Sequence, residues 1–279
     1  MKEIPPLNAA ALLKRHGLRA DKSLGQNFLQ DPFALQKIVA AAQIQPTDTV
    51  LEIGPGLGSL TRYLAASAKQ VVAVELDQDL LAPLRVVLAP YPNIRVLQGD
   101  ILDLSPAEII RADDYLVVAN IPYYITSALI RHLLESRKKP RRIILTIQKE
   151  VAERICAKPG DMSLLSLSVQ VYGRPRIEAR IPAEAFFPAP KVDSAVLGID
   201  IYPSAQIKTE LLDTFFRLIK AGFSQKRKTL RNSLSAGLHI ASAAAEEMLR
   251  KANIDSKRRA ETLSIEEWER LCETIQQAG

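Results

Sequence analysis

The segment Thr49–Gly58, which reads TVLEIGPGLG, decides the fold of this chain. Its first half, Thr49–Ile53, is mostly apolar and β-branched, which is typical of a strand that is buried on both faces of a sheet. Its second half is a glycine-rich turn, and a helical pattern over residues 60–67 follows directly. Glycines adopt positive φ and let the backbone approach a ligand closely. This order predicts a strand, a turn and a helix, with a nucleotide-type ligand beyond the carboxyl end of the strand.

The same alternation continues along the chain. Apolar runs recur at residues 71–75, 93–98, 115–120 and 141–147, and helical patterns separate them at 79–88, 127–135 and 149–157. The alternation predicts an α/β fold with a mostly parallel sheet and helices on both faces. Three more segments, at 167–172, 176–180 and 195–202, look like strands and have no long helices between them. We expect these three to be strands that finish the sheet with an antiparallel edge.

The pattern changes again after residue 204. Only helical patterns follow, at residues 211–221, 226–235, 243–252 and 265–277. We therefore predict a catalytic, cofactor-binding domain over residues 1–204 and a small all-helical, RNA-binding domain over residues 205–279. Within the first, residues 1–46 form an N-terminal leader and a segment that covers the cofactor.

Composition excludes several classes of protein. The formal net charge is +6, which is weak evidence for a polyanionic partner. Only two cysteines are present, far apart, so a disulfide framework or a thiolate zinc site is not expected. The three histidines have no acid or cysteine partners at ligand spacing, and no metal is expected. No apolar run reaches the length of a membrane span and no signal peptide begins the chain, so we expect a cytoplasmic protein.

The glycine-rich turn belongs to a set of polar residues at strand ends. Glu75 ends the second strand, 21 residues after Gly54, where an acid can accept both hydroxyls of a ribose. A dinucleotide fingerprint needs a further glycine at position 59, and that residue is Ser59. The spacing G-x-G-x-G, with Gly56 at its centre, suits an uncharged ribose and an amino-acid group better than a pyrophosphate. Taken alone, the turn is also compatible with a tight strand-to-helix connection that binds nothing.

The sequence E-x-G-x-G-x-G resembles the first motif of class I methyltransferases, which implies S-adenosylmethionine as the cofactor. Asp100 follows the third strand within Gln98-Gly99-Asp100. It resembles the acid with which these enzymes accept the adenine amino group of the cofactor. An Asp in this position is otherwise a turn cap, and the residues alone leave both interpretations open.

The fourth strand ends in the tetrapeptide Asn120-Ile121-Pro122-Tyr123. The exocyclic amine of adenine is a poor nucleophile because its lone pair is delocalised into the ring. An enzyme can help by accepting hydrogen bonds from the two N–H groups, which frees the lone pair for an in-line displacement. Asn120 offers a carboxamide oxygen, its neighbours offer carbonyls in a turn that Pro122 fixes, and Tyr123 offers a face for a flipped base. The alternative is a strand end with an Asn cap and a proline turn.

Four motifs in order resemble the ribosomal RNA adenine N6-dimethyltransferase family: G-Q-N-F-L at 25–29, E-I-G-P-G-x-G at 52–58, N-I-P-Y at 120–123 and F-x-P-x-P-K-V-D-S at 186–194. The resemblance implies a class I methyltransferase (Rossmann-like) sheet with a helical cap, and two methyl groups transferred to one N6. It implies cofactor contacts at Asn27, Leu29, Gly54, Gly56, Glu75, Asp100 and Asn120. It implies catalytic contacts to the target base at Asn120, Ile121, Pro122, Tyr123 and Phe186, the last on a stiff proline-rich loop. Tyr124 departs from the family's usual Asn, and no role is assigned to it.

Basic residues cluster in two places. The cluster at 137–142 is acid-free, and a solvated face is the favoured explanation for it. The second contains Lys226, Arg227, Lys228 and Arg231, and its sequence resembles the C-terminal domain of the family's small-subunit branch. We expect a helix that begins at Ser224 as N-cap and presents Arg227 and Arg231 on one face to RNA phosphates.

The combined prediction is an enzyme of ribosome biogenesis, a monomer that acts on small-subunit rRNA or the assembling small subunit. By resemblance, its target is a pair of adjacent adenosines in the 3′-terminal hairpin. One alternative is a large-subunit rRNA adenine methyltransferase of the macrolide-resistance type. Another is a non-catalytic assembly or transcription factor on the same fold, against which the intact acceptor tetrapeptide argues. A nucleotide-dependent oxidoreductase is disfavoured by Ser59.

Overall fold

The computed structural model describes residues 4–276, so the outermost residues of both predicted domains, 1–3 and 277–279, lie outside the described part. The strands are β1 Phe28–Leu29, β2 Thr49–Ile53, β3 Gln70–Glu75, β4 Ile94–Gln98, β5 Leu116–Asn120, β6 Arg142–Gln148, β7 Gly173–Ile181, β8 Phe186–Phe187 and β9 Ser194–Ile201. The helices are α1 Ala9–Arg15, α2 Pro32–Ala42, α3 Ser59–Ser67, α4 Leu81–Leu88, α5 Pro106–Ile109, α6 Thr126–Glu135, α7 Lys149–Ile155, α8 Leu164–Gln170, α9 Leu212–Gly222, α10 Leu230–Leu238, α11 Ser242–Lys251 and α12 Ile265–Gln276. Short 3₁₀ turns lie at Gln78–Leu80, Tyr123–Ile125, Ala183–Ala185, Thr209–Leu211 and Ala260–Thr262.

Seven of these strands form one sheet in the order β4-β3-β2-β5-β6-β9-β7. The strands β4, β3, β2, β5 and β6 are parallel, whereas β9 runs antiparallel to β6. The predicted α/β class and its antiparallel edge are therefore confirmed. The strand that opens the fold-deciding segment, β2, lies inside the sheet, and all five of its residues are buried. Burial on both faces explains why Val50, Leu51 and Ile53 are apolar and leaves Glu52 as the exception.

The chain divides into two compact units. Residues up to 152 and residues 175–201 form the first unit, and residues 153–174 and those from 202 onward form the second. The predicted boundary at 204/205 has a counterpart at 201/202. Residues 153–174 differ from the prediction because they group with the helical unit rather than with the sheet.

Part of that segment corrects one predicted strand. Residues 167–172 were expected to be extended, and the structure instead has the helix α8, Leu164–Gln170. Alternating leucines and serines give this stretch the period of a strand. A capping box decides otherwise: the Ser163 side chain accepts the Ser166 N–H at 3.1 Å, and the Ser166 hydroxyl accepts the Ser163 N–H at 2.6 Å. Satisfying these amide groups locally starts a helix.

A second correction concerns the basic segment of the helical unit. The predicted helix over 226–235 begins only at Leu230, and Ser224 does not cap it, because its hydroxyl donates to the Ala221 carbonyl at 2.7 Å. The first two amides of α10 donate to the carbonyls of Arg258 and Ser256, at 2.6 and 3.3 Å. The helix starts where these carbonyls satisfy its free amide groups. Arg227 therefore precedes the helix and does not share a helical face with Arg231.

Two of the five cations in the other basic cluster, Arg141 and Arg142, are held in ion pairs. The Arg141 guanidinium lies 2.6 Å from Asp48 and 2.5 Å from Asp114. The Arg142 guanidinium lies 2.9 Å from both Glu178 and Asp200. The expected solvated face therefore does not include Arg142, which is buried and paired with two acids. Among residues 4–276, no helix is long and apolar enough to cross a membrane.

Candidate active site at the carboxyl ends of the strands

The glycine-rich turn after β2 is shaped by backbone conformations that side chains disfavour. Gly54 and Gly56 have φ of +66° and +58°. A Cβ atom on Gly56 would lie 3.1 Å from the ring of Phe28, and its backbone N–H donates to the Glu75 carboxylate at 2.9 Å. Glycine at this position thus serves two needs: it permits the left-handed conformation, and it leaves room for the segment that packs over the turn.

The Glu75 carboxylate lies at the end of β3, as predicted. One oxygen accepts from Gly56 and the other accepts the Asp77 N–H, each at 2.9 Å. Burial raises the pKa of Glu75, although the two backbone hydrogen bonds oppose that effect. Each carboxylate oxygen has two lone pairs, so one acceptor position per oxygen remains for a ligand hydroxyl.

A second buried acid, Glu52, lines the same cavity, and sequence reasoning assigned it no role beyond its place in the motif. Burial raises the pKa of Glu52 to about 8, and the nearby Glu75 adds to the shift. Its Oε2 atom is buried and has no hydrogen-bond partner among residues 4–276. A buried, unpartnered carboxyl oxygen beside a cavity is costly unless a ligand or solvent reaches it. The signal that could have identified Glu52 is an ionisable residue inside an otherwise apolar, central strand.

Asp100 is a turn cap, and its position leaves the predicted ligand role possible. Its Oδ1 atom accepts the Leu102 N–H at 2.9 Å, which is a turn cap. Its side chain also lines the cavity, about one strand away from Glu75, because β4 and β3 are neighbours in the sheet. A carboxylate has two oxygens, so capping with one leaves the other as an acceptor.

Residues 24–29, which precede α2, run along the cavity and form a segment that we call the strap. The Gln26 side chain donates to the Asp77 carboxylate at 2.6 Å, and the Asn27 side chain donates to the Gly25 carbonyl at 3.0 Å. Farther along, β1 pairs antiparallel with β8, so that Leu29 lies opposite Phe186. The structure therefore brings Asn27 and Leu29 to the cavity, as expected. The Gln26–Asp77 contact was missed, because the sequence contains no sign of a pairing between residues 51 positions apart.

The end of β5 is tied to this strap. The Asn120 side-chain nitrogen donates to the backbone carbonyl of Asn27 at 3.1 Å. A carbonyl can only accept, so this contact fixes the amide orientation. The Asn120 carboxamide oxygen has no partner among the described residues, and Asn120 lines the cavity. The catalytic acceptor predicted from the sequence is thus oriented by a backbone group that the sequence could not reveal.

Two aromatic rings flank the cavity near Asn120. Tyr123 donates or accepts a hydrogen bond with the buried Ser194 hydroxyl at 2.8 Å, and burial raises its pKa. Phe186 is 4% exposed and packs in the hydrophobic core while also lining the cavity. Ser194 ends the motif at residues 186–194, and its contact with Tyr123 supplies a physical reason for a hydroxyl at that position. The phenol of Tyr123 is anchored by this hydrogen bond.

The structure collects every predicted cofactor and catalytic residue in one cavity of the first unit. Its lining includes Asn27, Leu29, Gly54, Gly56, Glu75, Asp100, Asn120, Ile121, Pro122, Tyr123 and Phe186. The predicted RNA-binding residues Lys226, Arg227, Lys228 and Arg231 belong to the second unit. The first three are exposed and precede α10, and Arg231 lies within it, 3.3 Å from Glu246.

Comparisons with known proteins agree with this geometry. Residues 17–277 match the model of the family described as ribosomal RNA adenine dimethylase. The chain is similar to the ribosomal RNA small subunit methyltransferase A of Dehalococcoides mccartyi (strain CBDB1), with 47% identity over 97% of each protein. It is 42% identical to the protein of the same name from Alkaliphilus metalliredigens (strain QYMF), over 98% of each.

Two solved structures are also similar over most of the chain. A dimethyladenosine transferase from Plasmodium falciparum superposes with a TM-score of 0.77 at 26% identity, covering 90% of this chain and 98% of the other. The 23S rRNA methyltransferase ErmE superposes with a TM-score of 0.71 at 29% identity, covering 90% of this chain and all of the other (100%).

Proposed function

Because the chain belongs to the ribosomal RNA adenine dimethylase family, we propose that it uses S-adenosylmethionine to dimethylate adenine N6 in small-subunit rRNA. The proposed targets are two adjacent adenosines of the 3′-terminal hairpin, modified during ribosome assembly in the cytoplasm by a monomeric enzyme. The observation that carries the proposal is the oriented, unpartnered carboxamide oxygen of Asn120 beside a cavity with two buried acids.

The cavity fits S-adenosylmethionine on several counts. Bound there, this cofactor supplies an electrophilic methyl group on a sulfonium sulfur. The backbone at Gly56 can approach it closely, since a Cβ atom would fill that space. Glu75 would accept the ribose hydroxyls and Asp100 the adenine amino group. The Glu75 carboxylate, held by two backbone N–H groups, suits ribose hydroxyls and disfavours a pyrophosphate.

The transfer depends on how Asn120 meets the target amine. Its carboxamide oxygen accepts a hydrogen bond from N6, and the second N–H can donate to the Ile121 carbonyl or to the remaining lone pair of the Pro122 carbonyl, which already accepts the Ile125 N–H at 3.3 Å. Accepting both hydrogens draws the amine towards a tetrahedral shape and aims its lone pair along the displacement axis. The Asn27 carbonyl holds the amide in place beforehand, so little reorganisation is required in the transition state.

The base itself is held by aromatic contacts. Tyr123 and Phe186 offer the faces that a flipped adenine needs, and the Ser194 hydroxyl fixes the phenol of Tyr123. Once N6 has gained one methyl group and released one proton to solvent, it is again a neutral amine with one N–H group, which one of these acceptors can hold for a second transfer. In the helical unit, the exposed cations Lys226, Arg227 and Lys228 supply phosphate contacts.

The choice of small-subunit rRNA rests on the relatives. Those named small-subunit methyltransferases reach 47% identity, whereas the 23S rRNA methyltransferase structure shares 29%. A non-catalytic factor on this fold would have no need for the oriented acceptor. The large-subunit alternative predicts a methylated adenine in the other ribosomal RNA, which makes the two separable by experiment.

The test is mass spectrometry of rRNA digests from cells with the gene, without it, and with an Asn120→Ala copy. We expect dimethyladenosine in a 3′-terminal fragment of small-subunit rRNA only with the wild-type gene. Dimethyladenosine that persists in small-subunit rRNA without the gene would overturn the proposal. So would the loss of dimethyladenosine from large-subunit rRNA, rather than from small-subunit rRNA, when the gene is removed. Retention of the modification with the Asn120→Ala copy would refute the mechanism but not the activity.

A further inference from the structure

One aromatic residue beside the cavity is not used by the mechanism. Tyr124 follows Tyr123 directly, lines the same cavity and is 61% exposed. Among residues 4–276, Phe33 is the other exposed aromatic side chain, at 73%, and it does not line the cavity. Leaving a tyrosine ring in water forgoes the free energy of its burial. An exposed ring at the entrance of a cavity therefore suggests a ligand that covers it.

The local backbone directs Tyr124 away from Tyr123. Residues Tyr123–Ile125 form a 3₁₀ turn, in which successive side chains diverge by roughly 120° because each turn takes about three residues. Tyr123 is anchored to Ser194, whereas the Tyr124 hydroxyl has no hydrogen-bond partner among the described residues. The two neighbouring rings are thus presented in different directions from one short turn.

Gly25 of the strap lies beside one part of the Tyr124 ring. A Cβ atom placed on Gly25 would lie 3.6 and 3.7 Å from two ring carbons of Tyr124, which is ordinary van der Waals contact. Gly25 has φ of +62° and donates its N–H to the Lys22 carbonyl at 3.1 Å. The ring therefore lies beside a tight turn and keeps most of its surface exposed.

We propose that Tyr124 is a stacking platform for the nucleotide next to the adenosine that enters the cavity, which makes it a substrate-positioning residue. When the target base leaves the helical stack, its neighbour loses a stacking partner. Adjacent Cα atoms lie about 3.8 Å apart, so the platform lies within one nucleotide step of Tyr123. Any base has a π face, so an exposed tyrosine can replace the lost stacking partner.

Charge near the ring agrees with an RNA occupant. Lys22 is exposed and has no ion pair or side-chain hydrogen bond within residues 4–276. It opens the turn that ends at Gly25, so it brings a cation close to the ring. A phosphate of the stacked nucleotide would be neutralised there. A peptide partner would need apolar neighbours around Tyr124 or an acidic side chain for Lys22, and the base-binding cavity beside the ring favours RNA.

This inference rests on the proposed function and deepens it, because the neighbour of one target adenosine is the other target. It predicts a coupling between one side chain and one base. The experiment is a double-mutant cycle with the full chain and a 3′-terminal hairpin RNA. Wild-type protein and Tyr124→Ala are each combined with intact hairpin and with hairpin in which one of the two adenosines is abasic.

For wild-type protein, we expect the abasic site to raise the half-saturating RNA concentration about 5- to 150-fold, the range for one lost base–aromatic stack. For Tyr124→Ala, the intact hairpin should bind as weakly as the abasic hairpin binds wild type, and the abasic site should add no further penalty. Tyr124→Phe should restore the coupling, since the ring face is retained. Phe33→Ala is the matched control and should bind both hairpins as wild type does. Cofactor affinity should equal that of wild type in all variants.

The outcomes separate the two levels of the argument. An abasic penalty of equal size in wild type and Tyr124→Ala, with wild type active, would overturn the Tyr124 assignment alone. A wild-type enzyme that neither binds nor methylates the intact hairpin would overturn the proposed function and this assignment with it. Tyr124→Phe as weak as Tyr124→Ala would show that the hydroxyl, not the ring face, makes the contact, and would also overturn the platform.

Discussion

The cavity at the strand ends and the basic segment over residues 226–231 differ in what determines their geometry. In the cavity, Gly54, Glu75 and Asn120 follow directly from the register of the buried strands β2, β3 and β5. The basic segment has no buried framework until Leu230, and its cations precede the helix that the sequence predicted. Burial of the strands fixes the positions of the cavity side chains closely enough for hydrogen bonds. For the exposed cations, the sequence determines that charge is present but not where each side chain lies.

The difference extends to energetics. Groups in the cavity are held by specific hydrogen bonds in a low-dielectric site, so losing one is expensive and largely independent of salt. Exposed cations act through counterion release, which is graded, additive and salt-dependent. Substitutions in the two regions should therefore differ both in the size of their effect and in its dependence on ionic strength.

The largest expected effect is that of Asn120→Ala. Removing one preorganised hydrogen-bonding group from an active site typically reduces the rate on the order of 100- to 1,000-fold. The loss should appear in the rate of single-turnover methylation with saturating enzyme, and less in RNA affinity, because remote phosphate contacts hold the RNA. Near wild-type turnover by Asn120→Ala would contradict the catalytic role of Asn120 and the expected difference between the cavity and the basic segment.

Glu75→Gln should have the next largest effect, on cofactor binding. Gln keeps one acceptor oxygen but places an NH₂ group against either the Gly56 or the Asp77 amide, and it removes the charge. A lost charge-assisted hydrogen bond costs about 1.5–3 kcal/mol, or roughly 10- to 150-fold in the dissociation constant. Calorimetric titration with S-adenosylmethionine measures it, and the exposed acid Glu108→Gln is the control. An unchanged dissociation constant would contradict the assignment of Glu75.

Glu52 provides a third test, through pH. Its pKa is raised from 4.5 in the unfolded chain to about 8 by burial, so between these values the folded state holds one more proton. Stability from this group is then complete below pH 4.5 and is lost as the pH rises through 8, at up to about 1.4 kcal/mol per pH unit.

Glu52→Gln resembles the protonated acid and should flatten this dependence, so the variant should become more stable than wild type towards pH 8–9. The measurement is the free energy of unfolding by denaturant from pH 4.5 to pH 9, without cofactor. Parallel pH profiles for wild type and variant would show that Glu52 is not protonated in the folded state.

The sequence allowed most of the fold and of the cavity to be predicted, for a physical reason. Buried parallel strands are recognisable in the sequence as mostly apolar runs, and the carboxyl ends of parallel strands meet at one edge of the sheet. Gly54, Glu75, Asp100 and Asn120 could therefore be placed together from spacing and motif. By contrast, residues 167–172 have the alternation of a strand, and only a capping box between Ser163 and Ser166 makes them helical.

What could not be predicted were contacts between residues distant in sequence. The Gln26–Asp77 hydrogen bond and the Asn27 carbonyl that orients Asn120 depend on how the strap crosses the sheet. The start of α10 depends on carbonyls near residue 256 that satisfy its first amides. Local propensity contains no information about such partners, whether they are backbone groups or side chains.

The smallest expected effect separates two arginines that the sequence treated as equivalent. Arg227 is exposed and has no ion pair among the described residues, whereas the Arg231 guanidinium lies 3.3 Å from Glu246 and also 3.3 Å from the Asn232 side chain. Arg227→Gln should reduce the slope of log K for RNA binding against log salt by about 0.7–0.9, the value for one phosphate contact. Arg231→Gln should reduce the slope by less, because Glu246 already neutralises that guanidinium. The double variant Arg231→Gln/Glu246→Gln controls for the acid that Arg231→Gln leaves unpaired, and cofactor affinity should stay constant throughout. Equal slope changes for Arg227→Gln and Arg231→Gln would mean that the Arg231–Glu246 pair opens to RNA and that exposure alone, not pairing, determines the contribution of each cation.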